Sequence, residues 1–148
     1  MTEVFLADEA ATQDLGRALA ASLRPGDALC LTGPLGAGKS TLARAMIRAL
    51  TTPDEEVPSP TFTLVQFYET AEFPLVHFDL YRLSDPDEAY EIGLDEALDG
   101  GVTLIEWPQR LEGRLPANRL DIDIALDGDG RRAVIVAHGS FKGRSLEF

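Results

Sequence analysis

The sequence has little sulfur and no long apolar segment, and each absence excludes a class of protein. One cysteine, Cys30, stands among 148 residues, so an internal disulfide and a cysteine-ligated metal cluster are both excluded. No apolar run approaches the roughly 20 residues of a membrane-spanning helix. Residues 1–9 lack the basic start and the long apolar core of a secretory signal. We therefore expect a cytoplasmic protein without membrane association.

Positive charge is also scarce in this chain. Lys and Arg number 13 against 25 Asp and Glu, which gives a formal net charge of −12. Because an acidic protein repels a phosphate backbone, we do not expect strong direct binding of nucleic acid. The basic cluster of Arg110, Arg114 and Arg119 is typical of a solvated surface. The hydrophobic content of 45% and the length suit one folded domain.

A phosphate-binding motif is the most informative feature that is present. Residues 33–40 read GPLGAGKS and match G-x-x-x-x-G-K-[ST], the P-loop. Gly36 and Gly38 permit a tight turn that directs backbone N–H groups at phosphate oxygens. Lys39 can reach the β- and γ-phosphates, and the Ser40 hydroxyl can bind Mg²⁺. A helix that begins near Gly38 would add its positive N-terminal end to this anion site.

The segments on either side of the motif have the strand and helix patterns that a P-loop needs. A short apolar run, residues 27–32, follows a Pro25-Gly26 turn and precedes the loop. Residues 40–50 continue with apolar side chains at helical spacing, so Thr41 is predicted as a helix residue beside the loop. The position of Cys30 inside the strand predicts a small core residue.

The remaining patterns predict an α/β fold with a mostly parallel central sheet flanked by helices. Further strands are predicted at residues 4–6, 61–68, 75–80, 102–106, 120–126 and 132–138. Further helices are predicted at residues 8–22, 85–93 and 94–98. The last two strands form an antiparallel hairpin that closes the sheet. Residues 1–138 are therefore predicted as one P-loop domain, and residues 139–148 as a flexible tail.

Two acidic residues are candidates to complete the loop chemistry. Asp79 and Glu106 each end an apolar strand, and a P-loop protein needs an acid for Mg²⁺ and a group that orients water. The pattern leaves open which acid has which role. An ion pair with Arg82 is the structural alternative for Asp79, and a capping role is the alternative for Glu106. His77 is predicted as a core histidine or one that supports a ligand, and Trp107 either covers the nucleotide or packs.

A proline-rich loop carries one further candidate. Thr61 follows Ser59-Pro60 where a rigid turn leads into a strand, so its hydroxyl could reach the γ-phosphate or Mg²⁺ as switch-loop threonines do. An ordinary strand threonine is the alternative interpretation.

Four motifs together point to a family. They are residues 36–40 (GAGKS), residues 59–62 (SPTF), residues 77–83 (HFDLYRL) and residues 106–108 (EWP). In this order and spacing they resemble the TsaE family, the bacterial P-loop ATPases of tRNA threonylcarbamoyladenosine synthesis. The resemblance runs from about Thr12 to the final hairpin. Each motif alone is short, but the combination is specific.

The resemblance implies ATP or ADP with Mg²⁺ as ligands, together with a set of site residues. It matches Asp79 and Glu106 to metal and catalytic acids, Thr12 to a nucleotide contact, and Arg131, with Arg132 adjacent, to a hairpin arginine near the nucleotide. The expected nucleotide-binding residues are Thr12, Gly33, Leu35, Gly36, Ala37, Gly38, Lys39, Ser40, Thr41, Trp107 and Arg131. The expected catalytic residues are Lys39, Thr61, Asp79 and Glu106, and the metal ligands come from Ser40, Asp79 and Glu106.

The resemblance also implies partners and a reaction. Members of the family act with TsaD and TsaB, which transfer the threonylcarbamoyl group to adenosine 37 of tRNAs that read ANN codons. ATP hydrolysis by the family member is expected to reset that complex between turnovers. Contact with tRNA is expected only through the complex.

Three other functions are compatible with a P-loop. A small-molecule kinase would need an acceptor pocket and an arginine-rich lid, for which residues 110–119 are a weak candidate. A GTPase usually carries Asn-Lys-x-Asp, whereas Asn118 is followed by Arg119. A sensor that binds nucleotide without hydrolysis would keep its partners and show no turnover.

Overall fold

A computed structural model of the chain describes residues 1–34, 36–58 and 64–144. Seven strands form one sheet: β1 (Thr2–Leu6), β2 (Ala28–Thr32), β3 (Val65–Glu69), β4 (Pro74–Asp79), β5 (Val102–Glu106), β6 (Arg119–Asp127) and β7 (Gly130–His138). The helices are α1 (Glu9–Ala21), α2 (Lys39–Leu50), α3 (Asp87–Glu91) and α4 (Leu94–Leu98). Two 3₁₀ turns cover Pro108–Leu111 and Gly139–Gly143. In these ranges no helix is both long and apolar enough to cross a bilayer.

The sheet is mixed rather than mostly parallel, which corrects the prediction. Its strand order is β1-β7-β6-β2-β5-β4-β3. β2 pairs in parallel with β5 and β6, and β4 pairs in parallel with β5. The pairs β1·β7, β6·β7 and β3·β4 are antiparallel. The antiparallel pair β6·β7 is the hairpin that was predicted, so the difference lies in β1·β7 and β3·β4. β3 and β4 are joined by a short connection, and strands joined by a tight turn run antiparallel.

The helix on each side of β2 follows from local sequence. Asp8 caps α1, since its Oδ1 accepts the N–H of Ala11 at 2.9 Å, and the helix ends at Ala21 with Ser22 as its C-cap, close to the predicted end. α2 packs against α1 at Gly16, where an added Cβ would lie 2.7 Å from the Cβ of Ala45. Only a glycine permits this close approach, which brings α1 next to the first turns of α2.

Each face of the sheet buries its own apolar core. Successive residues of a strand point to opposite faces, so Leu29 and Leu31 of β2 enter the core beneath α1 and α2. Cys30 points the other way and packs with Phe78, Ile105 and the residues around α3 and α4. The side chains that surround the carboxyl end of β2 are therefore fixed from both faces.

The third strand begins later than its apolar pattern predicts. Residues 61–68 were predicted as a strand, whereas β3 starts at Val65 and Leu64 adopts a φ of 67°. A leucine at positive φ does not continue a strand, because the left-handed region is sterically costly for residues with a Cβ. Thr61 and residues 59–63 as a whole lie outside the described residues.

Residues 139–144, the described part of the segment after β7, are folded, whereas a flexible tail was predicted for residues 139–148. Gly139–Gly143 form a 3₁₀ turn, and the Phe141 side chain is buried in the core with 1% exposed. Arg144 makes two hydrogen bonds to the Asp27 carboxylate, from Nη1 at 2.5 Å and from Nη2 at 2.9 Å. A buried aromatic ring and a buried ion pair thus anchor residues 139–144, and residues 145–148 lie outside the described residues.

Replacing Phe141 by alanine should therefore destabilise the fold. We expect Phe141→Ala to lower the free energy of unfolding by about 3–5 kcal/mol, as is typical for truncation of a buried phenylalanine. Urea unfolding followed by circular dichroism measures this change. The matched control is Lys142→Ala at an exposed neighbour, for which we expect a change within about 0.5 kcal/mol. Equal stability of the two variants would restore the interpretation of a loose tail.

Candidate functional site

The carboxyl ends of three neighbouring strands meet at one edge of the sheet. β2 leads into the glycine-rich loop, β4 ends at Asp79 and β5 ends at Glu106. Glu106 is in register with Asp79 on one side and with Leu31 on the other. Since ligands of open α/β sheets bind beyond the carboxyl ends of the strands, this edge is the candidate site.

Two glycines give the loop its path. Gly33 has a φ of 143°, and a Cβ on it would lie 2.3 Å from the carbonyl oxygen of Ile124 in β6. Gly38 has a φ of 108° and caps α2 without a side-chain hydrogen bond. The first N–H groups of α2 are therefore available to an anion at the helix end. The loop residue Leu35 lies outside the described residues.

The loop lysine lies against the only tryptophan of the chain. Lys39 is 5% exposed, and its Nζ is 4.3 Å from the centroid of the Trp107 ring. The indole in turn contacts Tyr81, with the ring centroids 4.8 Å apart. A cation over an aromatic face gains about 0.5–2 kcal/mol, which is small enough for a phosphate to draw the ammonium away. The contact with Tyr81 was not predicted from the sequence, in which Tyr81 stands two residues after Asp79.

The two acids are both buried at this edge, and each has a defined partner. Asp79 is 7% exposed, and its Oδ1 accepts the backbone N–H of Tyr81 at 3.0 Å. Glu106 is 6% exposed, and its Oε2 lies 2.7 Å from Nε2 of His77. Glu106 is therefore not a simple cap, and His77 has the supporting position predicted for it.

A cavity of about 210 Å³ opens on the other side of the loop. The N-terminal part of α1, the loop and the β6–β7 turn enclose it, with Leu6, Asp8, Glu9, Thr12, Gly36, Ala37, Gly38, Thr41, Asp129, Gly130 and Arg131 as its lining. Thr12 is 3% exposed, and its Cγ2 is the nearest atom to a Cβ built on Gly38, at 4.0 Å. The predicted residues Thr12, Thr41 and Arg131 thus share one cavity, whereas its other α1 and hairpin residues were not predicted from the sequence.

The hairpin separates the two adjacent arginines. Arg131 donates from Nη2 to the carbonyl oxygen of Gly36 in the loop, at 3.2 Å. Arg132 instead pairs with Asp127 at 2.7 Å and with Glu3 at 3.6 Å. Alternation along β7 explains the difference, since successive side chains point to opposite faces. Arg131 is the arginine that faces the loop.

The donor set limits how a metal could bind here. Among the residues that the structure describes, no three His, Cys, Asp or Glu side chains form a group that could hold a metal ion. Ser40 lies exposed in the first turn of α2, and the buried carboxylates of Asp79 and Glu106 end the neighbouring strands. Hydroxyl and carboxylate oxygens suit Mg²⁺, which usually takes one or two carboxylates and completes its shell with phosphate and water. The residues present therefore fit Mg²⁺ together with a phosphate ligand and do not fit a cage built from protein alone.

The cysteine in β2 is close to the loop in sequence but is not a nucleophile. Burial raises the pKa of the Cys30 thiol to about 12, and the charge of Asp121 adds to this effect while Arg119 opposes it. The thiol is therefore neutral at physiological pH, and a neutral thiol is unreactive. Its role is packing, as its position in the strand predicted.

An α/β protein with a glycine-rich GKS loop and two buried acids at the carboxyl edge of a mixed sheet is the class that this fold and site define. The family model described as "Threonylcarbamoyl adenosine biosynthesis protein TsaE" matches residues 6–134. The chain belongs to the TsaE family, whose members take part in tRNA threonylcarbamoyladenosine biosynthesis. The family resemblance found in the motifs is thereby confirmed.

Relatives from other bacteria align with most of this chain. The TsaE protein of Rickettsia bellii is 39% identical over 131 residues, which are 88% of this chain and 91% of that protein. The TsaE protein of Bacillus subtilis is 41% identical over 124 residues, covering 83% and 77%. The crystal structure of Bacillus subtilis YdiB superposes with a TM-score of 0.77 at 32% identity, covering 95% of this chain and 88% of the other.

The reactivity of Cys30 tests the packing on which β2 depends. At pH 8 we expect Ellman's reagent to modify the folded protein at least about a hundredfold more slowly than the urea-unfolded chain, because only the unfolded thiol approaches its ordinary pKa. The absorbance change reports one site, since the chain has one cysteine. Comparable rates in the two states would contradict the burial of this strand.

Proposed function

We propose that the chain is a P-loop NTPase that hydrolyses ATP with Mg²⁺ in the threonylcarbamoyladenosine pathway. One observation carries the proposal: the GKS loop begins at the same sheet edge as two buried carboxylates, next to a cavity that Arg131 lines. A loop that can bind phosphates, an acid for the metal and an acid for water are the parts that nucleotide hydrolysis requires.

Phosphate binding is the first role that the residues support. The free N–H groups at the start of α2 and the ammonium of Lys39 would hold the β- and γ-phosphates. The interaction with Trp107 keeps the charge of Lys39 near the loop. Breaking this interaction costs little energy, so the lysine can leave the indole and bind a phosphate. The motif assigns the rest of the phosphate-binding loop to Gly33, Leu35, Gly36 and Ala37.

The nucleoside would occupy the cavity between α1 and the hairpin. Thr12 and Thr41 line it, and Arg131 already lies against the loop at Gly36. We propose that Arg131 is the hairpin arginine near the nucleotide, in preference to Arg132, whose guanidinium is paired with acids elsewhere. ADP would fit the same contacts as ATP, apart from those to the γ-phosphate.

The two acids would divide the remaining work. We assign Mg²⁺ to Ser40 and Asp79, and the orientation of water to Glu106. The carboxylate of Glu106 is held by a side chain of the neighbouring strand, at 2.7 Å from His77, and a group that orients water must itself be held in place. When bound, Mg²⁺ neutralises charge on the phosphates. Thr61, which lies outside the described residues, remains the proposed sensor of the γ-phosphate.

The physiological reaction would depend on partner proteins in the cytoplasm. We propose that the chain acts with TsaD and TsaB in modifying adenosine 37 of tRNAs that read ANN codons, and that hydrolysis resets their complex. The net charge of −12 favours protein partners over direct contact with tRNA. Tyr81 is 47% exposed beside Trp107, so a partner could reach the site from this side.

The kinase alternative has less support. The arginines between residues 110 and 119 would have to form a lid, but Arg114 pairs with Asp87 and Arg119 with Asp121. Arg110 lies over the ring of Tyr81, with 5.8 Å to its centroid. Each of these three arginines therefore has a partner within the fold.

Hydrolysis of ATP with Mg²⁺, alone and with a TsaB–TsaD preparation, tests the function. We expect slow turnover that rises sharply with the partners. Lys39→Ala should abolish nucleotide binding or turnover, and Glu106→Ala should keep the fold and lose hydrolysis, because it removes the acid that orients water. Normal turnover in Glu106→Ala would remove that assignment. If the partners do not change the rate of turnover, the ATPase assignment stands and the pathway assignment is rejected. Transfer of phosphate from labelled ATP to small acceptors would then test the kinase alternative.

The two hairpin arginines form a matched pair of variants. We expect Arg131→Ala to weaken ATP binding about tenfold, or about 1.4 kcal/mol, because a charged hydrogen-bond donor beside the loop is lost. Arg132→Ala should leave the dissociation constant unchanged. Isothermal titration calorimetry measures both, and a larger loss in Arg132→Ala than in Arg131→Ala would reverse the assignment.

A further inference from the structure

A buried histidine holds the acid at the centre of the proposed site. Nε2 of His77 lies 2.7 Å from Oε2 of Glu106, and the two side chains are 4% and 8% exposed. If the carboxylate of Glu106 is the acceptor of this hydrogen bond, Nε2 carries the hydrogen and donates it. Nδ1 of His77 is buried and has no hydrogen-bond partner in the part of the chain that the structure describes. The hydrogen bond to Glu106 is therefore the polar contact that this imidazole makes there.

The register of the sheet builds this contact into the fold. β4 and β5 run in parallel, with His77 beside Leu104 and Asp79 beside Glu106. Residues two apart on a strand share a face, so His77 and Asp79 both lie on the β4 side of Glu106 and on its face of the sheet. Asp79 is directly beside Glu106, and His77 is one step further back along β4. The hydrogen bond with His77 holds Oε2 of Glu106 near the imidazole.

We infer that His77 is a positioning residue, which fixes Oε2 of Glu106 so that Oε1 is the oxygen left to accept from water. This inference rests on the proposed ATPase function. An unpaired carboxylate in a buried site would be costly and would have several rotamers available. One hydrogen bond selects among those rotamers. Groups that orient a reactive side chain in this way are commonly worth about 10–100-fold in activity.

Three substitutions at His77 separate positioning from packing. Gln places an amide N–H at about the reach of Nε2, Asn places one at about the reach of Nδ1, and Leu has no donor. In the full chain, with Mg²⁺ and the partner preparation, we expect His77→Leu and His77→Asn to lower kcat by about 10–100-fold. The dissociation constant of ATP should stay within about twofold, because the loop and Lys39 are untouched. His77→Gln should recover most of kcat.

A role of His77 in packing alone predicts a different set of results. If His77 only fills space, the three variants would differ in urea midpoint, and kcat would show no preference for Gln over Asn. That result would overturn the inference. A parallel rise in KM and the ATP dissociation constant without loss of kcat would also overturn it, because it would place His77 in binding rather than in the orientation of Glu106.

A second measurement does not depend on turnover. The chain has two histidines, so nitrogen-detected NMR with His138→Asn as the assignment variant gives the tautomer of His77. We expect the hydrogen on Nε2, protected from exchange, and we expect that protection to fall in Glu106→Ala. The inference would be wrong if the hydrogen is on Nδ1, or if the protection of the Nε2 hydrogen against exchange is unchanged in Glu106→Ala. If the unsubstituted chain hydrolyses no ATP, the proposed function fails, while this spectrum still decides whether His77 holds Glu106.

Discussion

Three parallel strands that end level with one another are the constraint on which the site depends. β2, β5 and β4 are neighbours, and their register sets Leu31, Glu106 and Asp79 side by side. A shift of one residue in any pair would turn an acid to the opposite face, since side chains alternate along a strand. The apolar cores on both faces hold that register, because each strand contributes buried side chains to both. Packing far from the loop is thus what aligns the polar groups beside it.

Local patterns were sufficient for the elements whose signals lie within a few residues. The start of α1 was predicted from Asp8 as a cap, and β5 was predicted from the apolar run 102–106. Both predictions succeed because capping and strand burial depend on neighbouring residues. The loop and its lysine follow from a motif, and the motif order was enough to recognise the family. The roles of Thr12, Asp79, Glu106 and Arg131 remain predictions, although the fold brings them to one edge and its adjoining cavity.

Contacts between distant segments could not be predicted from the sequence. The hydrogen bond between His77 and Glu106 joins residues 29 apart and requires the β4–β5 register. Phe141 looked like part of a polar tail because its burial depends on a surface formed by other elements. The mixed character of the sheet had the same origin. Local periodicity identifies a strand but does not say which strand lies beside it.

The pairing of Arg144 with Asp27 has a practical consequence for observing the protein at work. Asp27 immediately precedes β2, whereas the glycine-rich loop leaves its other end. A fluorescent dye or an affinity handle attached just beyond Arg144 would therefore start from the rim of the sheet remote from the loop. Such a handle would immobilise the protein on a sensor surface with the loop directed away from the support and open to solution.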